Sequence, residues 1–350
     1  KDITNNSEAI NKAFKEVVLV FDQDEAGKAA TEAVLKIAPE YMTVDLPEKD
    51  ANACLIAGKS KAAVNAVMWK ASVPKNTSLV FAEDLHEEAR KPAEFGVSWP
   101  WPTLTKKTRG IRTGETIYIG AAPKMGKSEV VNVLATHLVE AHGWKIMLCK
   151  PEEANKKSYK MLAGKLAGTS FIDPDVPFDN AAYDKAGEIL KGKAVLLNLY
   201  QHVGWDSLKA DIRAAAGWGA KAVFVDPLTQ LSNGLSASEA NTRLQEVAQE
   251  LSAMALDLDI VVFIFCHLNN PVSGLPHERG GKVLTSQFAG SRAMGRSCNY
   301  TLGLQGNRDP DLPEEEQNIR ELIILDDREF GETGGATLHW NKHTTAFTER

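Results

Sequence analysis

Residues 116–128 read TIYIGAAPKMGKS, an apolar run followed by a loop of small residues that ends in Gly-Lys-Ser. A helical pattern, EVVNVLATHL, follows directly. This order of strand, loop and helix can hold a nucleotide, because backbone N–H groups of the loop and of the helix N-terminus surround phosphate oxygens. The sequence therefore predicts a phosphate-binding loop over Ala121–Ser128, and we prefer this to a chance match.

Each position of the loop has a chemical role in that interpretation. Gly126 lets the chain turn close to the nucleotide, and Lys127 reaches the β- and γ-phosphates. Ser128 supplies a hydroxyl to Mg²⁺. Ala121 stands where the first glycine is usual. We expect alanine to be tolerated there because the position needs a tight turn more than a positive φ, and Gly120 comes just before it.

The pattern beyond residue 99 predicts the fold of the larger part of the chain. Apolar strands alternate with amphipathic helices, and the strands read TIYIG, KIMLC, AVLLNL, AVFVD and IVVFIFC, then YTLGLQ, ELIILD and ATLHW. This alternation predicts an α/β fold with a doubly wound, mostly parallel sheet of RecA type that ends in antiparallel strands. Ligands bind such sheets beyond the carboxyl ends of the strands.

Polar residues follow three of these strands. Asp226 ends AVFVD, and a carboxylate there would hold the water shell of Mg²⁺. The strand KIMLC runs into Glu152 and Glu153, either of which could act as a general base. His267 ends IVVFIFC, and two interpretations stay open: a sensor of the γ-phosphate, or simply a satisfied histidine at a strand end.

Composition restricts the class of protein. Of the 350 residues, 43% are hydrophobic and 25% are charged, which is usual for a globular chain. No apolar run approaches the ~20 residues needed to cross a bilayer, so no membrane partner is expected. The four cysteines are scattered without a CxxC pair, which favours a reducing compartment. For the basic run at 106–112 we favour a solvated loop over a DNA contact.

The amino-terminal part has a βαβ pattern of its own. VVLVF at 17–21 leads into FDQDEAG, a helical segment and a second strand candidate, YMTVDL. We predict three segments: a first domain over 1–75, a linker with a helix over 76–98, and the large α/β domain over 99–350. The helix Leu79–Lys91 either docks on a neighbouring subunit or packs within its own chain.

Taken together, the motifs resemble a known family. They run in the order GAAPKMGKS, KPEE, FVDPLTQLS, CHLNNP, QFAGSRAMGR, LDDREFGETG and HWNK. This order is similar to that of the helicase half of replicative primase–helicases from T-seven-type phages, which are related to the Twinkle and DnaB helicases. The resemblance covers roughly 100–350. CHLxNP followed by a strand ending in xxRxxGxTG is more specific than the phosphate loop alone.

The resemblance implies a RecA-like ATPase with roles for particular positions. Glu152 matches the catalytic base, Asp226 the Mg²⁺-associated carboxylate, and His267 the residue that links the γ-phosphate to a DNA-binding loop. Arg328 matches an arginine finger that reaches the nucleotide of the adjacent subunit. Trp340, in HWNK, matches the aromatic that stacks on the base.

Two further sets of positions concern the base and the DNA. Arg308 would cover the other face of the base. Asn269 and Asn270 stand in a loop where phage relatives carry lysines, so they would hold DNA phosphates more weakly and with less salt dependence. In QFAGSRAMGRS the family's leading arginine is replaced by Ala289 and its glutamine by Arg296. DNA-contact positions in that second loop are Gly290, Arg292 and Arg296.

The amino-terminal piece resembles part of a TOPRIM primase domain. FDQDEAG matches its DxDxxG motif, in which Asp22 and Asp24 would bind Mg²⁺, and LPEKDAN resembles a further motif. An acidic surface turn is the alternative. TOPRIM catalysis needs a glutamate on an earlier strand, so we expect a truncated segment that cannot prime by itself.

The resemblance implies an enzyme that couples hydrolysis of ATP or a dNTP, dTTP included, with Mg²⁺ to 5′-to-3′ movement on single-stranded DNA. Implied partners are a homo-hexameric or heptameric ring, the replication fork and a DNA polymerase. The implied location is the cytoplasm, of the host if a phage encodes the chain, in preference to the mitochondrial matrix. One alternative is a RecA-like recombinase or loader that hydrolyses ATP without unwinding. Another is an assembly protein with a decayed nucleotide site.

Overall fold

The computed structural model describes residues 3, 6–72, 80, 82–198, 204–232, 234–288 and 297–349. The chain forms two compact units, Lys1–Ala93 and Glu94–Arg350. The division between them falls inside the predicted linker, 76–98.

The first unit is small and mostly helical. Its helices are α1 (Ser7–Ala13), α2 (Glu25–Leu35), α3 (Ala51–Ile56), α4 (Ser60–Trp69) and α5 (Ala82–Ala89), and its strands are β1 (Val18–Leu19) and β2 (Met42–Thr43). The strands pair in parallel, as the βαβ pattern predicts. β1 is only two residues long because β2, itself two residues long, is its one paired neighbour among the described residues.

Capping residues start two of these helices and bring two predicted motifs together. The Asp24 carboxylate accepts a hydrogen bond of 2.8 Å from the Gly27 amide at the start of α2. Asp50 caps α3 through a 2.6 Å bond from Ala53. The Gln23 amide donates to the Lys49 carbonyl at 2.7 Å, so FDQDEAG and LPEKDAN are adjacent.

The second unit contains a nine-stranded sheet flanked by helices. The strands are β3 (Thr116–Ala121), β4 (Lys145–Cys149), β5 (Ala194–Leu196), β6 (Ala220–Val225), β7 (Val261–His267), β8 (Tyr300–Gly306), β9 (Ile319–Asp327), β10 (Gly334–Asn341) and β11 (Ala346–Glu349). The helices are α6 (Pro102–Thr108), α7 (Lys127–His142), α8 (Asn155–Ala167), α9 (Asn180–Leu190), α10 (Trp205–Trp218), α11 (Ala237–Asp257) and α12 (Glu314–Gln317). Two 3₁₀ turns, Leu228–Ser232 and Thr285–Gln287, complete the described elements.

The sheet has the order β11-β10-β9-β8-β3-β7-β6-β4-β5. Strands β8, β3, β7, β6, β4 and β5 run in parallel, whereas β9, β10 and β11 continue the sheet in antiparallel fashion. This confirms the predicted doubly wound, mostly parallel sheet with an antiparallel end. The phosphate-loop strand β3 is central, between β8 and β7, which places its carboxyl end in the middle of one sheet edge.

Two apolar layers bury the sheet on both faces. In β3, Ile117 and Ile119 pack with residues of α7 such as Val130 and Leu134 on one face. Tyr118 points to the other face and packs in the layer that holds Leu208 of α10 and Val247 of α11. The alternation follows from the period of two in a strand. Both faces being covered explains why the parallel strands are almost continuously apolar.

The short strand β11 was not predicted from the sequence. Its Phe347 is buried, and its backbone carbonyl accepts a hydrogen bond of 3.3 Å from the Trp101 indole. Strand β11 therefore closes the antiparallel edge against the segment that precedes the sheet. Within the described part of the chain, no helix has the length and apolar character to cross a membrane.

Candidate functional site

A cleft of about 520 Å³ opens at the carboxyl ends of the central parallel strands, beside the start of α7. Residues predicted from the sequence line it, among them Gly126, Lys127, Ser128, Glu152, Glu153, Asp226, His267 and Arg308. They come from five separate stretches of the chain. The fold thus brings the predicted phosphate loop, carboxylates, histidine and arginine to one place.

The phosphate loop joins β3 to α7 as its sequence predicts. Gly126 has φ of 100°, the left-handed region that favours glycine, and a Cβ there would lie 2.7 Å from the Phe347 ring. Lys127 is the first residue of α7, and Lys127, Ser128 and Glu129 all line the cleft, so the N-terminus of that helix lies at the cleft. A helix N-terminus with a lysine is suited to bind an anion.

The geometry explains why the loop tolerates alanine at its first position. Ala121 ends β3, is fully buried and does not line the cleft, whereas Ala122 does. A Cβ at Gly120 would lie 2.5 Å from the Phe288 ring and 2.7 Å from Leu268. The requirement for glycine is therefore met one residue earlier, at Gly120.

Lys127 and Asp226 form an ion pair in the centre of the cleft. Their Nζ and Oδ1 atoms are 2.6 Å apart, and the side chains are 10% and 5% exposed. β6 positions Asp226, whose backbone amide donates to the Cys149 carbonyl at 2.9 Å. A nucleotide phosphate would compete with Asp226 for the lysine and release the carboxylate.

The donor set fits a magnesium ion that is shared with a phosphate. Across the described residues, no group of three His, Cys, Asp or Glu side chains could hold a metal by itself. Mg²⁺ is usually held by one or two carboxylates together with substrate phosphates and water. Asp226 and the Ser128 hydroxyl, both lining the cleft, are ligands of that kind.

Glu152 and Glu153 have different environments, although the sequence left both open as the base. Glu153 is largely buried, forms an ion pair with the buried Lys150, and accepts a 2.7 Å hydrogen bond from Ser158. Lys150 and Ser158 hold the pKa of Glu153 below its usual value against the effect of burial. Lys157 lies 3.5 Å from its other oxygen. Glu153 therefore holds the loop, and Glu152 is the carboxylate that remains available.

Glu152 contacts two side chains at the mouth of the cleft. Its Oε1 atom accepts a 2.5 Å hydrogen bond from Gln230, and its Oε2 atom lies 3.7 Å from His267 Nε2. Sequence reasoning missed Gln230, which stands in FVDPLTQLS four residues after the strand carboxylate. β4 is not next to β3 in the sheet, yet the loop after it reaches the same cleft.

Two arginines support the phosphate loop through its backbone carbonyls. Arg308 donates to the Lys124 carbonyl at 2.6 Å, and Arg320 donates to the Met125 carbonyl at 3.0 Å. Arg320 is buried in β9, and burial lowers its pKa to about 10. No sequence signal indicated Arg320, because an arginine within a strand usually faces solvent.

Trp340 lines a second cleft of about 360 Å³. Glu129, in the first turn of α7, lines both clefts and forms an ion pair with Lys165. The Lys165 ammonium lies 5.5 Å from the centre of the Trp340 ring, and burial lowers its pKa. Trp340 and Arg308, predicted to cover two faces of one base, thus line adjoining clefts.

Arg328 is exposed at the end of β9, in a turn organised by Asp327. The Asp327 carboxylate accepts hydrogen bonds from the amides of Glu329 and Phe330, both at 2.9 Å, and of Glu332 at 3.0 Å. No ion pair or hydrogen bond to the Arg328 guanidinium is formed by the described residues of its own chain. The turn therefore presents a charged side chain outward on a fixed base.

Residues of the basic run at 106–112 brace this turn. The Arg109 guanidinium lies 2.9 Å from a carboxylate oxygen of Glu332 and 4.6 Å from the centre of the Phe330 ring. Arg112 lies 5.3 Å from the same ring and 2.6 Å from Glu115. Our expectation of a solvated loop was wrong, because α6 and these contacts engage the run within the fold.

The loop after His267 pairs at its base with the segment that leads into the second predicted DNA loop. Leu268 forms an antiparallel bridge with Phe288, and the Asn269 amide donates to the Gln287 carbonyl at 2.7 Å. Asn269 and Asn270 are exposed. The other predicted DNA contacts, Gly290, Arg292 and Arg296, lie outside the described residues.

In the first unit, Asp22 and Asp24 are both exposed. Asp22 lines a cleft of about 530 Å³, and Asp24 is the N-cap of α2. A Cβ at Gly27 would overlap the Asp22 carbonyl, which explains the glycine of FDQDEAG. The turn thus has a structural role, and the metal-binding role of the two aspartates stays a prediction.

Comparison with known proteins gives concordant results. Residues 96–349 match the family described as DnaB-like helicase C terminal domain. A DNA helicase/primase of Enterobacteria phage T3 is 25% identical over 347 residues, which is 95% of this chain and 60% of that protein. The chain therefore spans about 60% of the length of this curated relative.

Solved structures share the fold. One that is described as an ATPase domain has a TM-score of 0.63 at 19% identity, covering 77% of this chain and 96% of that one. A structure described as a DnaB-like replicative helicase and its interactions with primase has a TM-score of 0.66 at 18% identity. The matched region covers 92% of this chain and 77% of the chain in that structure.

Proposed function

We propose, on the premise that this chain belongs to the DnaB-like helicase C-terminal domain family, that it is a replicative DNA helicase. The proposed activity is hydrolysis of ATP or a dNTP, dTTP included, coupled to 5′-to-3′ movement on single-stranded DNA. The observation that carries it is the single cleft in which Lys127, Asp226, Glu152 and His267 meet.

Hydrolysis would use the charges of that cleft. Lys127 and the α7 N-terminus would hold the β- and γ-phosphates, while Ser128 and Asp226 would hold Mg²⁺, which neutralises charge on the transferred phosphoryl group. Glu152 would orient and deprotonate the attacking water. Its hydrogen bond from Gln230 fixes the carboxylate without neutralising it.

Arg328 supports an assembly in which the site is shared between subunits. The Arg328 guanidinium is exposed, and contacts within the fold hold the turn that carries it. The guanidinium is therefore available to contact another subunit. An arginine finger acting in trans makes hydrolysis conditional on assembly and contributes about 10³–10⁵ in rate. We propose a homo-hexameric or heptameric ring in which Trp340 contacts the base. Arg308 lines the cleft of the phosphate loop, whereas Trp340 lines the adjoining cleft, so the Arg308 guanidinium would contact the phosphates instead of the base.

DNA would pass the loops that begin at Asn269 and after Phe288. Contacts between these loops and the phosphate backbone of DNA would not depend on the base sequence, as translocation requires. At the replication fork the partners would be single-stranded DNA and a DNA polymerase, in the cytoplasm, of the host if a phage encodes the chain. The first unit would be the carboxyl-terminal part of a TOPRIM primase domain, with Asp22 and Asp24 near its metal site.

The experiment is unwinding of a forked duplex with a free 5′ tail, in the presence of Mg²⁺ and ATP or dTTP. We expect strand separation that requires the 5′ tail and is abolished in Lys127→Ala. DNA-stimulated hydrolysis without strand separation would instead identify a RecA-like loader or recombinase. Nucleotide turnover that Glu152→Gln leaves unchanged would identify an assembly protein with a decayed site.

A further inference from the structure

The loop over 269–276, here termed the central loop, is closed at its base by a buried histidine. His277 is 2% exposed, and its Nε2 atom lies 3.3 Å from the Asn269 carbonyl. The near end of the loop follows His267, which faces Glu152 in the nucleotide cleft. The far end enters a tight turn at 276–281, where the Gly281 amide donates to the Pro276 carbonyl at 3.0 Å.

This turn is attached to the segment after β8. The Arg308 amide donates to the Glu278 carbonyl at 2.8 Å, and Arg279 forms an antiparallel bridge with Asn307. The Arg279 guanidinium lies 3.7 Å from the Asp309 carboxylate. Three consecutive residues, 307–309, therefore hold the far end of the central loop.

The same segment reaches the nucleotide. The Arg308 side chain lines the cleft and donates to the Lys124 carbonyl of the phosphate loop at 2.6 Å. Its backbone holds the far end of the central loop, and its guanidinium lies where a triphosphate would add negative charge. One residue thus touches both the phosphate loop and the turn that anchors the central loop.

We propose that 307–309 and the turn 276–281 form a second link between the nucleotide cleft and the central loop, with Arg279, Asp309 and His277 as positioning residues. The link acts at the far end of the loop, whereas His267 acts at the near end. This inference rests on the proposed function, in which the central loop contacts single-stranded DNA.

The physical basis is competition for one guanidinium. A bound triphosphate attracts Arg308 more strongly than the neutral Lys124 carbonyl does, because phosphate oxygens carry negative charge and can accept two parallel N–H bonds from one guanidinium. The backbone at 307–309 then shifts with its side chain. The turn is short, and a Cβ at Gly281 would overlap the Leu275 carbonyl. Such close packing transmits the displacement to the loop instead of absorbing it.

The test uses Arg279→Ala and Asp309→Asn in the full chain, with Arg213→Ala as the matched control, since it removes an exposed arginine of α10. We expect kcat and KM without DNA to stay unchanged in all three. Stimulation of hydrolysis by single-stranded DNA should fall about fivefold, the lower end of typical coupling factors, in the first two only. The charge swap Arg279→Asp with Asp309→Arg should restore it.

A second measurement does not depend on DNA. Val272, at the tip of the central loop, is fully exposed, and the four native cysteines are buried. An environment-sensitive dye on Val272→Cys should change its fluorescence when a non-hydrolysable ATP analogue binds. The change should be lost with Arg279→Ala or His277→Gln in the same chain, at an unchanged melting temperature.

The outcomes separate the two proposals. If the dye responds in Arg279→Ala and His277→Gln as in the parent chain, the second link is wrong, whatever the unwinding assay shows. If the dye response depends on Arg279 but DNA neither stimulates hydrolysis nor is unwound, the link stands and the helicase proposal fails. Full DNA stimulation in both Arg279→Ala and Asp309→Asn would also overturn the link.

Discussion

The Nε2 atom of His267 lies 3.7 Å from a carboxylate oxygen of Glu152, although β6 separates their strands in the sheet. The contact joins the proposed base to the last residue of β7, two positions before the central loop. Gln230 occupies the other carboxylate oxygen at 2.5 Å. A change in the charge of Glu152 would therefore be felt directly at the base of that loop.

The adjacent glutamates should respond differently to the same substitution. Glu152→Gln should reduce kcat by about 10²–10⁴, the usual contribution of a general base, and leave the melting temperature unchanged. Glu153→Gln should lower the melting temperature, because it removes a carboxylate paired with the buried Lys150. Steady-state hydrolysis and thermal unfolding of both variants check this. Equal loss of turnover with no loss of stability in Glu153→Gln would contradict the assignment.

The braced turn should make Arg328 act across subunits. Arg328→Ala should reduce turnover by about 10³ or more while nucleotide still binds. Mixing Arg328→Ala with Lys127→Ala subunits should restore part of the activity, since some interfaces then combine an intact cleft with an intact arginine. No recovery at any ratio would count against a shared site.

Asp327 should matter through the turn it caps. Asp327→Asn replaces one acceptor oxygen by a donor, so the amides of Glu329, Phe330 and Glu332 cannot all be satisfied. We expect a smaller loss of kcat than in Arg328→Ala, at an unchanged KM for nucleotide. Asp326→Asn, next in the chain and exposed, is the control and should have no effect.

The central loop should bind DNA with a shallow salt dependence. Between 269 and 276 it carries no lysine or arginine, and its exposed side chains include Val272 and Leu275. Asn270→Lys should steepen the slope of log K against log salt by about 0.7, the value for one added contact on a single strand. Fluorescence anisotropy between about 50 and 200 mM salt measures the slope. An unchanged slope would place the DNA phosphates elsewhere.

Glu115 should make stability depend on pH. Burial raises its pKa from 4.5 to about 7, although Arg112 acts in the opposite direction, and its Oε2 atom is buried without a hydrogen-bond partner. The folded state therefore binds the proton more tightly than the unfolded state. The contribution is fully present below pH 4.5 and is lost as pH rises to about 7.

The variant Glu115→Gln isolates this contribution. Relative to Glu115→Gln, the native chain should lose on the order of 1 to 3 kcal/mol of unfolding free energy between pH 5 and pH 7.5. Urea unfolding at the two pH values measures the difference. If the native chain instead gained unfolding free energy relative to Glu115→Gln as the pH rose, the assignment would be wrong.

Gly120→Ala should disturb the two predicted DNA loops more than it disturbs the phosphate loop. The added Cβ would press on Phe288 and Leu268, which lead into the two predicted DNA loops. We expect a destabilisation of about 1–3 kcal/mol, as for other overpacked cores. Ala121→Gly, one residue on, is the control; it should cost less than Gly120→Ala and leave DNA affinity unchanged. Thermal unfolding and DNA affinity of the two variants decide this.

The sequence was sufficient for the features that repeat locally. Apolar strands between amphipathic helices predicted each parallel strand found among the described residues of the second unit, and Gly-Lys-Ser located the start of α7. Residues at strand ends, such as Asp226 and His267, were found because parallel strands end at one edge. Strand β11 was missed because its four residues, Ala346–Glu349, gain their structure from β10 and the core, not from a pattern of their own.

Residues that act through long-range contacts could not be predicted in this way. Gln230 contacts Glu152 from a 3₁₀ turn, and Arg320 contacts the phosphate loop from β9; nothing in their neighbours in sequence indicates either contact. The choice between Glu152 and Glu153 also depended on Lys150 and its buried surroundings. The sequence offered the candidates, and only the packing separated a structural carboxylate from an available one.

The hydrogen bond from Asn269 to Gln287 ties the roots of two neighbouring loops into one short ladder. In each subunit of the proposed motor, the bases of the two predicted DNA loops would then move together. Both loop bases would be displaced by the same distance with each nucleotide hydrolysed. The length of a translocation step would therefore be set by the two loops jointly and not by either loop alone.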